Sequence, residues 1–182
     1  MKATGIVRLI DDRGLIVSPK EIRRTLRIRE GDPLEIYTDR EGGIILRKYS
    51  PIGELSQFSK QYAEALAQNT GYSGSITDRD QHIAVAGAGK KDLAKKAISR
   101  QMDTLMNQRE SLLAVKGERK FIPITEDGGE NYTAQVIYPI IAEGDAIGTV
   151  ILTTKDDKVR MGEMEMKLAA SAASFLGRQL EQ

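Results

Sequence analysis

The stretch from Arg8 to Arg24, RLIDDRGLIVSPKEIRR, constrains this chain more than any other. Two short β-branched runs, Gly5-Ile6-Val7 and Leu15-Ile16-Val17, flank the turn signal Asp11-Asp12-Arg13-Gly14. They predict strands near Gly5–Leu9 and Leu15–Val17 joined by a tight turn. Ser18-Pro19-Lys20-Glu21 then starts a short helix over Pro19–Leu26. Ser18 can accept from an early backbone N–H, Pro19 suits the first helical position, and Glu21 completes a capping pattern. In that helix Ile22 and Leu26 face inward at i, i+4 spacing, while Lys20, Arg23, Arg24 and Arg27 fall within two turns. A strand–turn–strand–helix with Arg8, Arg13, Lys20, Arg23 and Arg24 along its rim suits a polyanion. A basic cluster read by charge alone is equally a solvated face.

Leu34–Thr38 and Ile44–Arg47 read as two further strands. Four short strands in about 50 residues make a poor core for a monomer, so obligate dimerisation is implied. Ser50-Pro51 marks a boundary, giving domains at 1–50 and 51–182. The formal net charge of +1 says little, but its distribution says more. Residues 1–50 carry 11 Lys/Arg against 8 Asp/Glu and the remainder 16 against 18, so the head is +3 and the rest −2. That sign fits a nucleic-acid binder.

The head resembles the AbrB/MazE-type swapped-hairpin DNA-binding domain. The match runs through Lys2-x-Thr4-Gly5-Ile6-Val7-Arg8, Asp11-Asp12-x-Gly14 and Pro19-Lys20-Glu21-Ile22-Arg23-Arg24-Thr25-Leu26. It continues through Ile28, Gly31-Asp32-Pro33-Leu34-Glu35-Ile36-Tyr37 and Ile44-Ile45-Leu46-Arg47-Lys48-Tyr49. The resemblance implies a dimeric swapped-hairpin β-barrel that binds double-stranded DNA through Arg8, Arg13, Lys20, Arg23 and Arg24. One departure stands out. The family usually carries a basic residue at the positions of Leu9 and Leu15, and an apolar one at those of Arg13 and Ser18. Arginine and leucine have changed places across Gly14.

Beyond the boundary, Glu54 to Asn69 repeats apolar residues at Leu55, Phe58, Tyr62 and Ala65, with Leu66 beside them. That spacing fits a coiled-coil seam, or a helix packed on its own domain. Strands are expected at Ser73–Asp78, His82–Ala86, Phe121–Ile124, Tyr132–Ile141 and Ala146–Thr153, the first two a hairpin around Arg79-Asp80-Gln81 and the last two joined by a Gly144-Asp145 turn. Helices are expected at Asp92–Lys96 and Ile98–Met106. A closing helix, Arg160–Glu181, carries Met164, Leu168, Ala172, Phe175 and Leu176. This order, with Pro139-Ile140-Ile141 and Ile147-Gly148-Thr149-Val150-Ile151, resembles a GAF-type sensor domain. The fold class is α+β: the swapped-hairpin barrel, then a GAF-like antiparallel sheet with flanking helices. Together the two halves resemble a family of sporulation transcription factors.

Chemistry is thin elsewhere. There are no cysteines, hence no disulfide, thiolate nucleophile or Cys-type zinc site. GAF-type enzymes that need cysteine are excluded. His82, the single histidine, makes neither a metal site nor a catalytic triad alone. Ala86-Gly87-Ala88-Gly89-Lys90-Lys91 lacks P-loop spacing and reads as a flexible turn, at most a weak anion holder. Glu126-Asp127-Gly128-Gly129-Glu130 lacks the EF-hand order and reads as an exposed loop. No apolar run approaches a membrane span and no signal-peptide core opens the chain, so it reads as cytoplasmic. No enzyme activity, metal or cofactor is implied. A small-molecule effector in the GAF-like domain is, with lining residues unknown, as is a dimer or dimer of dimers. Three functions follow: a DNA-binding regulator of sporulation genes, an antitoxin, or a ligand sensor whose head mainly dimerises.

Overall fold

Turn chemistry and alternation decide where this chain pairs with itself. In the computed structural model, which describes residues 7–128 and 131–181, it divides into two compact units, one ending at Tyr49 and the other starting at Ser50. The fold class is mixed α+β.

In the first unit, helix α1 (Lys20–Thr25) precedes an antiparallel pair, β1 (Leu34–Thr38) and β2 (Ile44–Lys48), in register from Leu34↔Lys48 to Thr38↔Ile44. Asp39 closes their turn by accepting from the N–H groups of Glu41 and Gly43. The helix starts one residue later than expected. Pro19 is its N-cap, its carbonyl accepting from Arg23 N–H at 3.0 Å, and no side chain caps it, so Ser18 lies outside the helix. The helix ends in a Schellman arrangement: Ile28 N–H reaches Arg23 O at 2.8 Å, and Arg27 adopts the left-handed conformation usual for glycine (φ 54°). Lys48 anchors that ending, donating to the Arg27 carbonyl at 3.0 Å and lying 3.1 Å from the Asp32 carboxylate. Burial raises the Asp32 pKa, but the Arg29 N–H and the Lys48 ammonium outweigh it and hold the carboxyl below its ordinary value.

Two expected strands differ. Part of Gly5–Leu9 lies outside the described residues, and neither Val7–Leu9 nor Leu15–Val17 is in a β ladder. The physical reason is partnership: each extended run needs a neighbour, and β1 and β2 pair with each other. Between residues 7 and 49 no residue is fully buried. Leu26, expected inward, is exposed, as are Val7 (82%) and Leu9 (88%).

The second unit is a five-stranded antiparallel sheet between two layers. After α2 (Pro51–Glu54) and α3 (Ser56–Thr70) come β3 (Ser73–Thr77), β4 (His82–Ala86), α4 (Lys90–Leu93), α5 (Arg100–Gln108) and β5 (Leu112–Val115). β6 (Ala134–Ala142), β7 (Asp145–Thr154) and α6 (Glu163–Gln179) complete it, with strand order β4-β3-β7-β6-β5. α3 and α6 cover one face over Ile76, Val136, Ile140, Val150 and Leu152. On the other face α4 and α5 bring Leu93, Met102 and Met106 against Ile137 and Ile151. Fully burying each such side chain contributes about 1.5–3 kcal/mol.

Several elements shift from expectation. Phe121–Ile124 is not a strand; the edge strand is β5, whose alternating burial Leu112-Leu113-Ala114-Val115 pairs with Ile137 to Ala134. The β6–β7 connection is centred on Glu143-Gly144, both at positive φ (49° and 85°), the two-residue turn that matches strand twist. α5 starts at Arg100, capped by Ser99, whose hydroxyl accepts from Met102 N–H at 3.0 Å. α3 buries Ser59, Ala63 and Leu66, the face beside the expected seam. Its small residues let the backbone approach β3, where a Cβ on Gly74 would lie 2.7 Å from the Ala63 carbonyl oxygen. Phe58 and Tyr62 instead flank α6, with ring centroids 6.2 and 5.0 Å from Phe175. On α6, Ala172 and Leu176 are buried, whereas Met164 (68%) is exposed.

Candidate nucleic-acid interface

The first turn is built by one carboxylate. Asp11 Oδ1 accepts from the backbone N–H of Leu15 at 2.7 Å and of Arg13 at 3.0 Å, and Asp11 N–H donates to the Leu15 carbonyl at 3.2 Å. Gly14 takes φ 77°, which lets the loop close within five residues. The same Asp11 holds the Arg13 guanidinium through Oδ2 at 3.3 Å, with the Arg13 side chain 75% exposed. An exposed pair of this kind is worth less than about 1 kcal/mol, so a phosphate can displace it. Leu15, across Gly14, is exposed.

The other expected DNA-binding residues separate into two kinds. Arg8 is exposed and donates to its neighbour's carbonyl, Val7 O, at 3.2 Å. Lys20 and Arg24 are exposed one turn apart on α1, so both ammonium and guanidinium can point to one strip. Arg23 is half-buried, with its Nε shut off from solvent and unpartnered among the described residues. Spacing along the helix predicts equal exposure for Arg23 and Arg24, and they differ. The helix is short, and the chain reverses at Arg27 just after it. Sequence reasoning also misses Arg47, whose guanidinium sits 5.1 Å from the Tyr37 ring centre. The Tyr37 hydroxyl donates to Glu35 at 2.6 Å, which raises its pKa.

In the second unit the singled-out residues are occupied by structure. His82 Nδ1 lies 2.6 Å from Ser75 Oγ inside the sheet layer. Burial lowers its pKa to about 4, against the opposing pull of the Ile124 carbonyl and with help from the nearby Lys96 charge. The glycine turn gives its Gly89 N–H to Ser73 Oγ at 2.7 Å. Asp127 is engaged by Lys96 at 2.8 Å and by the Thr125 hydroxyl, which hold its carboxyl below the usual range. Gly129 and Glu130 of that loop lie outside the described residues. Among the described residues no helix is long and apolar enough to cross a membrane.

Comparison with known proteins adds to this geometry. A family described as "Stage V sporulation protein T C-terminal, transcription factor" matches residues 54–181, and one described as "Antidote-toxin recognition MazE, bacterial antitoxin" matches residues 7–54. The chain is 52% identical to stage V sporulation protein T of Bacillus subtilis over 182 residues, the whole of both chains. It is 39% identical over 112 residues to the transition state regulatory protein AbrB of the same organism, 62% of this chain and 97% of that one. The second unit's fold is that of GAF domains. The PixJ GAF domain of Thermosynechococcus elongatus superposes with a TM-score of 0.58 at 12% identity, over 74% of this chain and 89% of that one.

Proposed function

Because the chain belongs to the family of stage V sporulation protein T, we propose that it is a cytoplasmic DNA-binding transcription regulator of sporulation genes. Residues 1–50 are its DNA-binding domain and residues 51–182 a GAF-like sensor or oligomerisation domain that takes a small-molecule effector. It is not an enzyme.

The observation that carries this reading is the state of the head. None of its described residues is buried, and the apolar Val7, Leu9, Val17, Ile36 and Ile44 stand exposed, as do the cations Arg8, Lys20 and Arg24. A unit this uncovered is half of something. Interleaving the Val7–Leu9 and Leu15–Val17 runs with those of a second copy gives each strand a partner and each apolar side chain a cover, which supports a swapped-hairpin dimer. The two-fold axis then lays Arg8, Lys20, Arg23 and Arg24 of both chains along one double-stranded DNA surface. Phosphate contacts supply affinity, and one or two arginines, Arg13 among the candidates, supply base readout. Full-length similarity to stage V sporulation protein T, with its C-terminal family described as a transcription factor, favours this over an antitoxin, whose tail grips a toxin.

Sedimentation and a salt-dependent mobility shift test it together. The expected result is a dimer or larger, with a steep inverse salt dependence on duplex DNA. A monomer would sink the interleaved head. A salt-independent oligomer would leave the head a dimerisation module in a ligand sensor.

A further inference from the structure

The sheet of the second unit turns one row of polar side chains into its own interior. Ser73, Thr153 and Gln135 stand directly opposite one another on β3, β7 and β6, so they share a face. By alternation it is the face that carries Ile137 and Ile151 towards α4 and α5. Gln135 and Thr153 are 0% exposed. Ser73 Oγ accepts from Gly89 N–H, but neither end of the Gln135 carboxamide nor the Thr153 hydroxyl has a hydrogen-bond partner among the described residues. Buried side-chain amides in folded proteins are nearly always paired, and an unpaired one costs more than an apolar residue of its shape. Three such atoms on adjacent strands are a cost that packing does not explain.

We propose that this row binds a small uncharged ligand carrying a carboxamide or cyclic-amide edge, an assignment that rests on the sensor reading of the domain. The chemistry follows from the groups present. The Gln135 amide offers two donors and an acceptor in one plane, so its complement presents an acceptor and a donor side by side. Thr153 adds a hydroxyl on the next strand. The row itself carries no charged side chain, and the Lys155 ammonium at its roof is already paired with Asp92, so the complement is a neutral ligand. The buried carboxylates among the described residues are Asp78 and Glu165. Asp78 accepts from the N–H groups of Asp80 and Gln81, and Glu165 from Gly162 N–H and the Tyr72 hydroxyl. A charge placed here would be desolvated without compensation.

The roof over the Ser73 end is light. A Cβ on Gly89 would lie 2.8 Å from Tyr132 Oη and 3.0 Å from Ser73 Oγ, so the glycine turn rests directly on both. α4 is tied down by Asp92 to Lys155 at 2.6 Å, and the Lys155 ammonium lies 5.7 Å from the Tyr132 ring centre. Such a part-exposed ion pair opens easily. Lifting the turn admits the ligand beside Ser73, Thr153 and Gln135.

The test titrates the full chain with nicotinamide, uracil and the anion nicotinate, following the Gln135 side-chain amide and the Thr153 backbone amide by NMR. A neutral probe is expected to shift both signals saturably, with nicotinate at least tenfold weaker. Gln135→Met is expected to lose at least tenfold in probe affinity while melting roughly 3 °C or more higher without probe, since it removes an unpaired polar group. Thr153→Val keeps the shape and is expected to weaken the probe severalfold. If neither neutral probe moves these signals, if nicotinate binds equally well, or if both variants melt lower than the unmodified chain, the row is a structural network and the proposal fails. Mobility shift of DNA by the unmodified chain reports separately: its loss would overturn the regulator reading and leave the titration intact.

Discussion

At the scale of single residues, the cations of the head are unequal. Arg24 is exposed, so Arg24→Ala should lower the log–log salt slope of DNA binding by about 1 and leave melting unchanged. Arg23 is half-buried, with its Nε shut off from solvent. Arg23→Ala should therefore cost about 1 kcal/mol of stability as well as affinity, read by melting and shift assay on the same sample. If both variants melt like the parent, the two positions are equivalent after all. The exchange across Gly14 can be tested by Arg13→Leu with Leu15→Arg, which conserves charge. Leu15 offers no donor at the position where the family usually carries a basic residue, so the restored arrangement should tighten specific binding by about tenfold, near the 1.4 kcal/mol of one added contact. Equal or weaker binding would mean that Arg13 leaves Asp11 and reads DNA itself. His82 gives a pH prediction. Its folded pKa is depressed from 6.5 to about 4 because burial disfavours the imidazolium. The native state thus binds fewer protons than the unfolded one. Stability is full above 6.5 and declines as pH falls towards 4, by roughly 3 kcal/mol. His82→Gln should flatten the slope of melting temperature between pH 7 and 4.

At the scale of elements, the second unit depends on close approach. α6 lies so near β6 that a Cβ on Gly177 would collide with the Ile141 carbonyl oxygen. Backbone cannot give way as a side chain can. Gly177→Ala should lose about 1–3 kcal/mol in chemical denaturation. An unchanged midpoint would mean that α6 slides. α3 makes the same kind of contact through Ser59 and Ala63, which is why its buried face does not show in the spacing of large apolar residues. The half-exposed Phe58 and Tyr62 have the hydrophobicity, yet the small residues decide which way the helix faces.

At the scale of the whole molecule, the proposed assembly into dimers or a dimer of dimers can be tested by a change in the second unit alone. The outer face of α6 presents Met164, Leu168 and Ser171 at 4,3 spacing, with Met164 and Leu168 lining a shallow groove. Leu168→Glu should convert a dimer of dimers into dimers by sedimentation and weaken DNA binding through lost avidity, with no change in either unit's melting. A retained larger species would show that this stripe plays no part in assembly.

What the sequence determined was local. Binary alternation located β3, β4, β6 and β7 to within a residue or two, and turn chemistry placed the Asp11–Leu15 loop. A run of motifs pointed by itself to the head's family. Ser99, three residues before Met102, has the side chain of a cap, and α5 starts just after it rather than at Ile98. What only tertiary structure decided was partnership. Phe121–Ile124 has the composition of a strand, but β6 pairs with Leu112–Val115, and ladders are chosen by the neighbour available. Leu15–Val17 has the residues of a strand and no ladder among the described residues. Arg23 and Arg24 are identical in sequence terms, and their burial separates them. Gln135 carries no signal of its own in the sequence until the register sets it opposite Thr153. Composition and spacing act along the chain, whereas burial and pairing are settled between segments that the sequence does not bring together.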